Sequence, residues 1–184
     1  MLCAEYFLRV GLAARKAGAA ILAMLLLAPV AKGQEWSESS GSYTDTDGNS
    51  MRMWPGAEED GGSLPSDGTL DKPFLIVEGF DPLNDKNAGW YYEQETPFFE
   101  EARAATADIV ILNFADAAAD MLENAAIVQR AVRYLSSKKT GSTPIRLGGI
   151  SMGGVIARYA LAEAEDSGDP LDVSHWILPI REPR

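Results

Sequence analysis

Cysteine is almost absent from this sequence: Cys3 is the only one. It precedes an N-terminal apolar run, the wrong place for a lipid-modified cysteine at a cleavage point. The chain beyond it can form no disulfide and offers no thiol chemistry. Histidine is equally scarce, with His175 alone, so any mechanism that needs an imidazole base has one candidate. Basic side chains are few, 16 Lys and Arg against 27 Asp and Glu, for a formal charge of −11. A protein that neutralises phosphates needs the opposite balance, and nucleic-acid binding is excluded on that ground. No apolar run reaches the ~20 residues that span a bilayer. Gly-Lys-Ser/Thr is missing too, which removes a nucleotide-binding phosphate loop.

The longest apolar stretch, Ala17 to Ala31, follows Arg9, Arg15 and Lys16 and ends near the small residues Ala31 and Gly33. That order predicts a cleavable export signal over 1–33, cut by signal peptidase before Gln34, and a secreted or periplasmic protein. A retained membrane anchor is the alternative, and the shortness of the run speaks against it. Residues 34–72 are rich in Ser, Gly, Asp and Glu and poor in aliphatics, and read as a flexible acidic and polar leader. Within them, Asp45-Thr46-Asp47-Gly48-Asn49 resembles the start of a calcium loop. Ser50 stands where that loop needs its glycine and Gly56 where it needs a bidentate Glu, so solvated turn residues are the better reading. Neither metal nor cofactor is expected.

From Lys72 onward the pattern changes. Phe74-Leu75-Ile76-Val77, Asp108 to Phe114, Pro144 to Ile150 and Val173 to Leu178 are short apolar runs bounded by Gly, Pro or charged residues, and predict four buried strands. Met121, Ala125, Val128, Val132 and Leu135 repeat at helical spacing, with Gly141 placed as a C-cap. Val155, Ile156, Tyr159 and Ala160 mark a second helix, running to about Glu165. Strands alternating with helices predict a parallel sheet wrapped by helices, in a domain over 73–184. With 184 residues the chain suffices for one such domain.

Gly149-Ile150-Ser151-Met152-Gly153 carries the chemistry. A G-x-S-x-G sequence is informative only between a strand and a helix, and there it lies. A serine on so sharp a turn has strained backbone angles, and side chains at Gly149 and Gly153 would collide. The turn would present the Ser151 hydroxyl at the N-terminus of a helix, whose dipole favours developing negative charge. A Gly-rich turn that merely packs closely, or binds phosphate, is the bland alternative.

Lys72 to Pro82, the strand end Asn113-Phe114-Ala115-Asp116, and Gly149 to Leu161 together resemble the α/β-hydrolases of the secreted serine esterase and lipase type. The nearest subgroup is the lipase-like and GPI-inositol-deacylase-like hydrolases. The likeness covers about 105 residues, Lys72 to roughly Ile177. It implies that Ser151 is the nucleophile attacking a small-molecule or lipid ester. It also implies an oxyanion hole made by the backbone N–H groups of Phe80 and Met152. Relatives often begin the first loop with His-Gly, where this chain has Glu78-Gly79.

Glu78, Asp81 and Asp116 fall at the carboxyl ends of strands, the edge where ligands bind in such sheets. A carboxylate pair of the glycosidase kind is conceivable from them, but loop-capping and orientation of the oxyanion segment fit better. In the hydrolase order the triad acid and then the histidine follow the serine, on later strands. His175 comes inside the fourth strand, too early for the base, so a strand residue is expected there. The expectation is therefore an α/β-hydrolase lacking its C-terminal strands, truncated as given and without its triad acid and base. The alternative is a non-catalytic exported fragment or pseudoenzyme with a binding role.

Overall fold

A computed structural model describes residues 36–57 and 69–180, with the side chains of 178–180 left aside. The export signal over 1–33 lies outside the described residues. The strands are β1 (Ser37–Ser39), β2 (Ser42–Thr44), β3 (Ser50–Trp54), β4 (Pro73–Val77), β5 (Asp108–Asn113), β6 (Ile145–Ile150) and β7 (Val173–Ile180). The helices are α1 (Ala88–Gln94), α2 (Thr96–Ala104), α3 (Met121–Lys138) and α4 (Met152–Asp166). All the strands join one seven-stranded sheet in the order β1-β2-β3-β5-β4-β6-β7.

The four strands expected from the apolar runs form the parallel part, β5-β4-β6-β7. Every residue of β4 and β5 is buried, because a central parallel strand is covered on both faces. Alternate residues divide between two cores. Leu75 and Val77 meet Val128, Val132 and Leu135 of α3 and Ile156 and Ala160 of α4 on one face. Phe74 and Ile76 meet Tyr91, Tyr92 and Phe99 of α1 and α2 on the other.

The sheet is mixed rather than purely parallel, and the expected loose leader is corrected over 36–57. There β1, β2 and β3 pair antiparallel in turn, and β3 runs antiparallel to β5 from Ser50↔Asn113 to Trp54↔Ile109. Composition misled because ladder hydrogen bonds need no aliphatic side chain. A few apolar anchors suffice: Trp36, Tyr43 and Met51 are buried, and Tyr134 of α3 packs against both Trp36 and Tyr43. A buried carboxylate secures the other end of this region. Asp108 accepts hydrogen bonds from the backbone N–H groups of Gly56, Asp71 and Lys72, each at 2.9 Å. Asp45 and Asn49 are likewise buried rather than solvated. Asp45 accepts from the Asp47 and Asn49 backbones, and Asn49 accepts from Ala115 N–H at 2.8 Å. The calcium-like residues thus form a turn tied to the end of β5.

The connection between β4 and β5 holds α1 and α2. Their aromatic residues run consecutively, as in Trp90-Tyr91-Tyr92 and Phe98-Phe99, so they show little helical periodicity in sequence. Asn87 caps α1 by accepting from Trp90 N–H at 3.0 Å, and α2 begins with Pro in its first turn. On α3, Met121 is exposed at the helix start beside the cap Asp120. Its C-cap is Lys139, while Gly141, at φ 71°, lies in the following turn. On α4, Ile156 and Ala160 are buried but Val155 and Tyr159 are exposed. The covered face is made of small residues, Gly153, Gly154, Ala157 and Ala164 among them, which lets the helix axis approach the sheet closely.

Leu75→Ala removes a fully buried side chain from the core that α3 and α4 form on one face of the sheet, and should cost about 2–5 kcal/mol in urea unfolding. Leu83→Ala, at a side chain 79% exposed, should stay within about 0.5 kcal/mol of the parent.

Candidate active site

At the end of β6 the chain runs Gly148-Gly149-Ile150, reverses at Ser151 and enters α4. Ser151 has φ 48° and ψ −120°, left-handed backbone that costs a residue with a side chain of order 1–3 kcal/mol. Its hydroxyl makes no capping hydrogen bond to α4, which leaves the oxygen uncommitted, and the residue is half-buried. A Cβ on Gly149 would fall within 3.0 Å of the Gly153 and Gly154 backbones. One on Gly153 would fall within 3.0 Å of the Val77 and Glu78 carbonyls at the end of β4. The two glycines thus do different work. Gly149 lets the turn close on itself, and Gly153 lets the first turn of α4 press against the neighbouring strand.

That pressure brings the two expected oxyanion segments together. Gly153 abuts Glu78, and Phe80 follows two residues later, while Met152 opens α4. Among the described residues, no hydrogen bond occupies the backbone N–H of Phe80 or of Met152. The Phe80 side chain is 46% exposed, so only its backbone belongs to this edge.

Glu78 turns inward. It is fully buried, and its carboxylate accepts from the Phe114 backbone N–H and the Asn113 side-chain amide. Its backbone N–H donates to Leu112 O at 3.1 Å. The residue therefore ties the start of the loop after β4 to the end of β5. Burial pushes its pKa up to about 7, against the opposing effect of the two hydrogen bonds. Asp81 accepts from Lys86 N–H at 2.8 Å, and Asp116 from Ala118 N–H at 2.9 Å. All three acids therefore organise loops, as the capping interpretation anticipated. Neither the inward turn of Glu78 nor its partner Asn113 was visible in the sequence, since the apolar run simply stops before Glu78.

His175 is not brought to Ser151. β7 pairs it with Arg146, five residues before Ser151 along β6, which is about 16 Å away at the usual strand rise. Its Nδ1 lies 3.0 Å from Ser174 Oγ, and it is exposed on the last strand of the sheet.

Two measurements follow from this geometry. Gly153→Ala should destabilise the fold and displace the loop after β4, because the carbonyls it would strike are backbone and cannot swing aside. Loss of cooperative thermal unfolding, or a sharply lowered Tm, is the expected readout. For Glu78, a native pKa near 7 against an ordinary 4.5 means the folded state prefers the protonated acid. Its stabilising contribution is complete below about pH 4.5 and is lost as pH rises through about 7, a swing of about 3 kcal/mol. Glu78→Gln should remove that swing, gaining stability relative to the parent between pH 5 and pH 8 in urea titrations. A parent and variant that change in parallel over this range would contradict the assignment.

No protein-family model and no curated protein matches the chain. Solved structures do. An alpha/beta hydrolase enzyme from the metagenome of Lake Arreo, Spain, superposes with a TM-score of 0.54 at 12% identity, covering 81% of this chain and 47% of that one. An ester-hydrolase from the same metagenome, complexed with a bipyridine phosphonate derivative, gives 0.52 at 13% identity, over 80% of this chain and 43% of that one. The chain spans about half the length of the solved structures it matches. Likeness at such identity concerns the backbone alone: the chain has the α/β-hydrolase fold.

Proposed function

We propose that this chain carries the nucleophile and oxyanion-binding part of a serine ester hydrolase. The observation that carries the proposal is the strained Ser151, at φ 48° between two glycines whose replacement the backbone forbids. Ser151 Oγ attacks the ester carbonyl carbon and loses its proton to a base. The carbonyl electrons move to oxygen, which receives the N–H groups of Phe80 and Met152. Each such donor contributes ~3 kcal/mol to the transition state. Collapse of the intermediate expels the alcohol, which takes up the proton, and water then releases the acid from the acyl-serine. The substrate class we favour is a small or lipid-like ester, in keeping with the resemblance to lipase-like and GPI-inositol-deacylase-like hydrolases.

No described residue takes the part of the base. That acid and base reach Ser151 from sequence outside the 184 residues belongs to the same proposal. Export is a further part of it, supported by the basic start and apolar run of 1–33. The position of His175, level with Arg146, favours a second reading, in which the chain binds at this edge without turnover.

A fluorophosphonate probe separates the two. The hydrolase reading expects covalent labelling of the folded protein that disappears in Ser151→Ala. Labelling that survives this substitution would overturn the assignment of Ser151 as nucleophile, and a folded parent that never labels would favour the non-catalytic reading for these 184 residues.

A further inference from the structure

A cavity of about 320 Å³ opens on the same sheet edge as Ser151 but three strands away, between β3 and the start of α1. With neighbouring strands ~4.8 Å apart, three strand spacings put it roughly 14 Å from the elbow. Its lining is unlike the rest of the protein. The chain carries 27 acidic residues against 16 basic ones, yet no Asp or Glu lines this cavity, while Arg52 and Lys86 both do.

The pairing pattern explains why polar groups converge here. Ser42 pairs with Arg52 across β2 and β3, and Ser50 stands two residues before Arg52. All three side chains therefore share one sheet face, the face that meets α1. Arg52 Nη1 lies beside Gly89, where an added Cβ would meet it and Asn87 Oδ1 at 3.4 and 3.1 Å. Glycine keeps that wall open. Asn87 spends its Oδ1 on the Trp90 N–H, which leaves its amide N–H₂ to point elsewhere. Among the described residues, the Ser42 and Ser50 hydroxyls have no hydrogen-bond partner and Arg52 has no carboxylate partner. Lys86 Nζ is 4.0 Å from Asp81, a long pair, and 5.3 Å over the Trp90 ring. The Arg52 guanidinium sits 4.8 Å over Trp54.

We infer that this cavity is a binding site for an oxyanion group, a carboxylate or phosphate held by Arg52, Lys86, Asn87 and the hydroxyls of Ser42 and Ser50. A guanidinium offers paired donors to such a group, and an ammonium and neutral donors complete the shell. The site stands apart from the serine chemistry and does not depend on it.

Both cations lie over tryptophans, so intrinsic fluorescence reports occupancy. The full chain is titrated with sodium phosphate and, separately, with sodium succinate, each against sodium chloride at matched ionic strength to remove general screening. A saturable change beyond chloride is expected. Response to phosphate alone identifies a phosphate-bearing ligand, to succinate alone a carboxylate, and to both an oxyanion site of either kind. Arg52→Gln should weaken binding roughly tenfold or more, the loss of one charge-assisted contact. Lys86→Gln provides the same test should the first variant lose its circular dichroism spectrum. Neither anion exceeding chloride, or unchanged affinity in the folded variant, overturns the inference.

Discussion

The first turn of α4 rests directly on the carbonyls that end β4, with Gly153 against Val77 and Glu78. This contact is backbone on backbone, with no side chain between, and the site depends on it. It sets how far α4 can sink toward the sheet and so where Ser151 is lifted. It also sets the distance between the loop that carries Phe80 and the helix start that carries Met152. A residue with a Cβ at position 153 would push these segments apart, and no rotamer change elsewhere could restore them. The small residues along the covered face of α4, from Gly154 to Ala164, continue the same close approach down the helix.

Glu78 secures the other side of that contact. Its carbonyl receives the helix while its carboxylate reaches across to Phe114 and Asn113 on β5. One residue thus joins three consecutive chain crossings at the edge where ligands bind in open α/β sheets. A buried acid is costly while ionised, and its raised pKa expresses that cost. The loop after β4 is held by a group that titrates near neutrality.

Much of this architecture was legible in order of apolar content. Phe74 to Val77, Ile109 to Leu112 and Leu147 to Ile150 announce themselves because a central parallel strand excludes water from both faces. The α3 stripe from Ala125 to Leu135 is equally direct, since one face of a long helix must be covered. Elements held by hydrogen bonds and a few aromatic anchors were not. β1 to β3 are short and rich in serine, and they order because Tyr43, Met51 and Trp36 find α3 and because β5 offers a free ladder. α1 and α2 hid for a related reason: runs such as Trp90-Tyr91-Tyr92 serve different neighbours with adjacent side chains.

By itself the sequence determined that a strand, a glycine-flanked serine and a helix follow one another, because that turn depends on local backbone sterics and on which residues lack a Cβ. It determined equally that these 184 residues offer a single imidazole, His175. The tertiary structure alone decided which distant backbone Gly153 must clear, which way Glu78 turns, and that Arg52, Lys86 and two serines share a cavity. Those outcomes rest on strand order and register, which bring together residues that the chain separates by tens of positions, and no local pattern encodes that pairing.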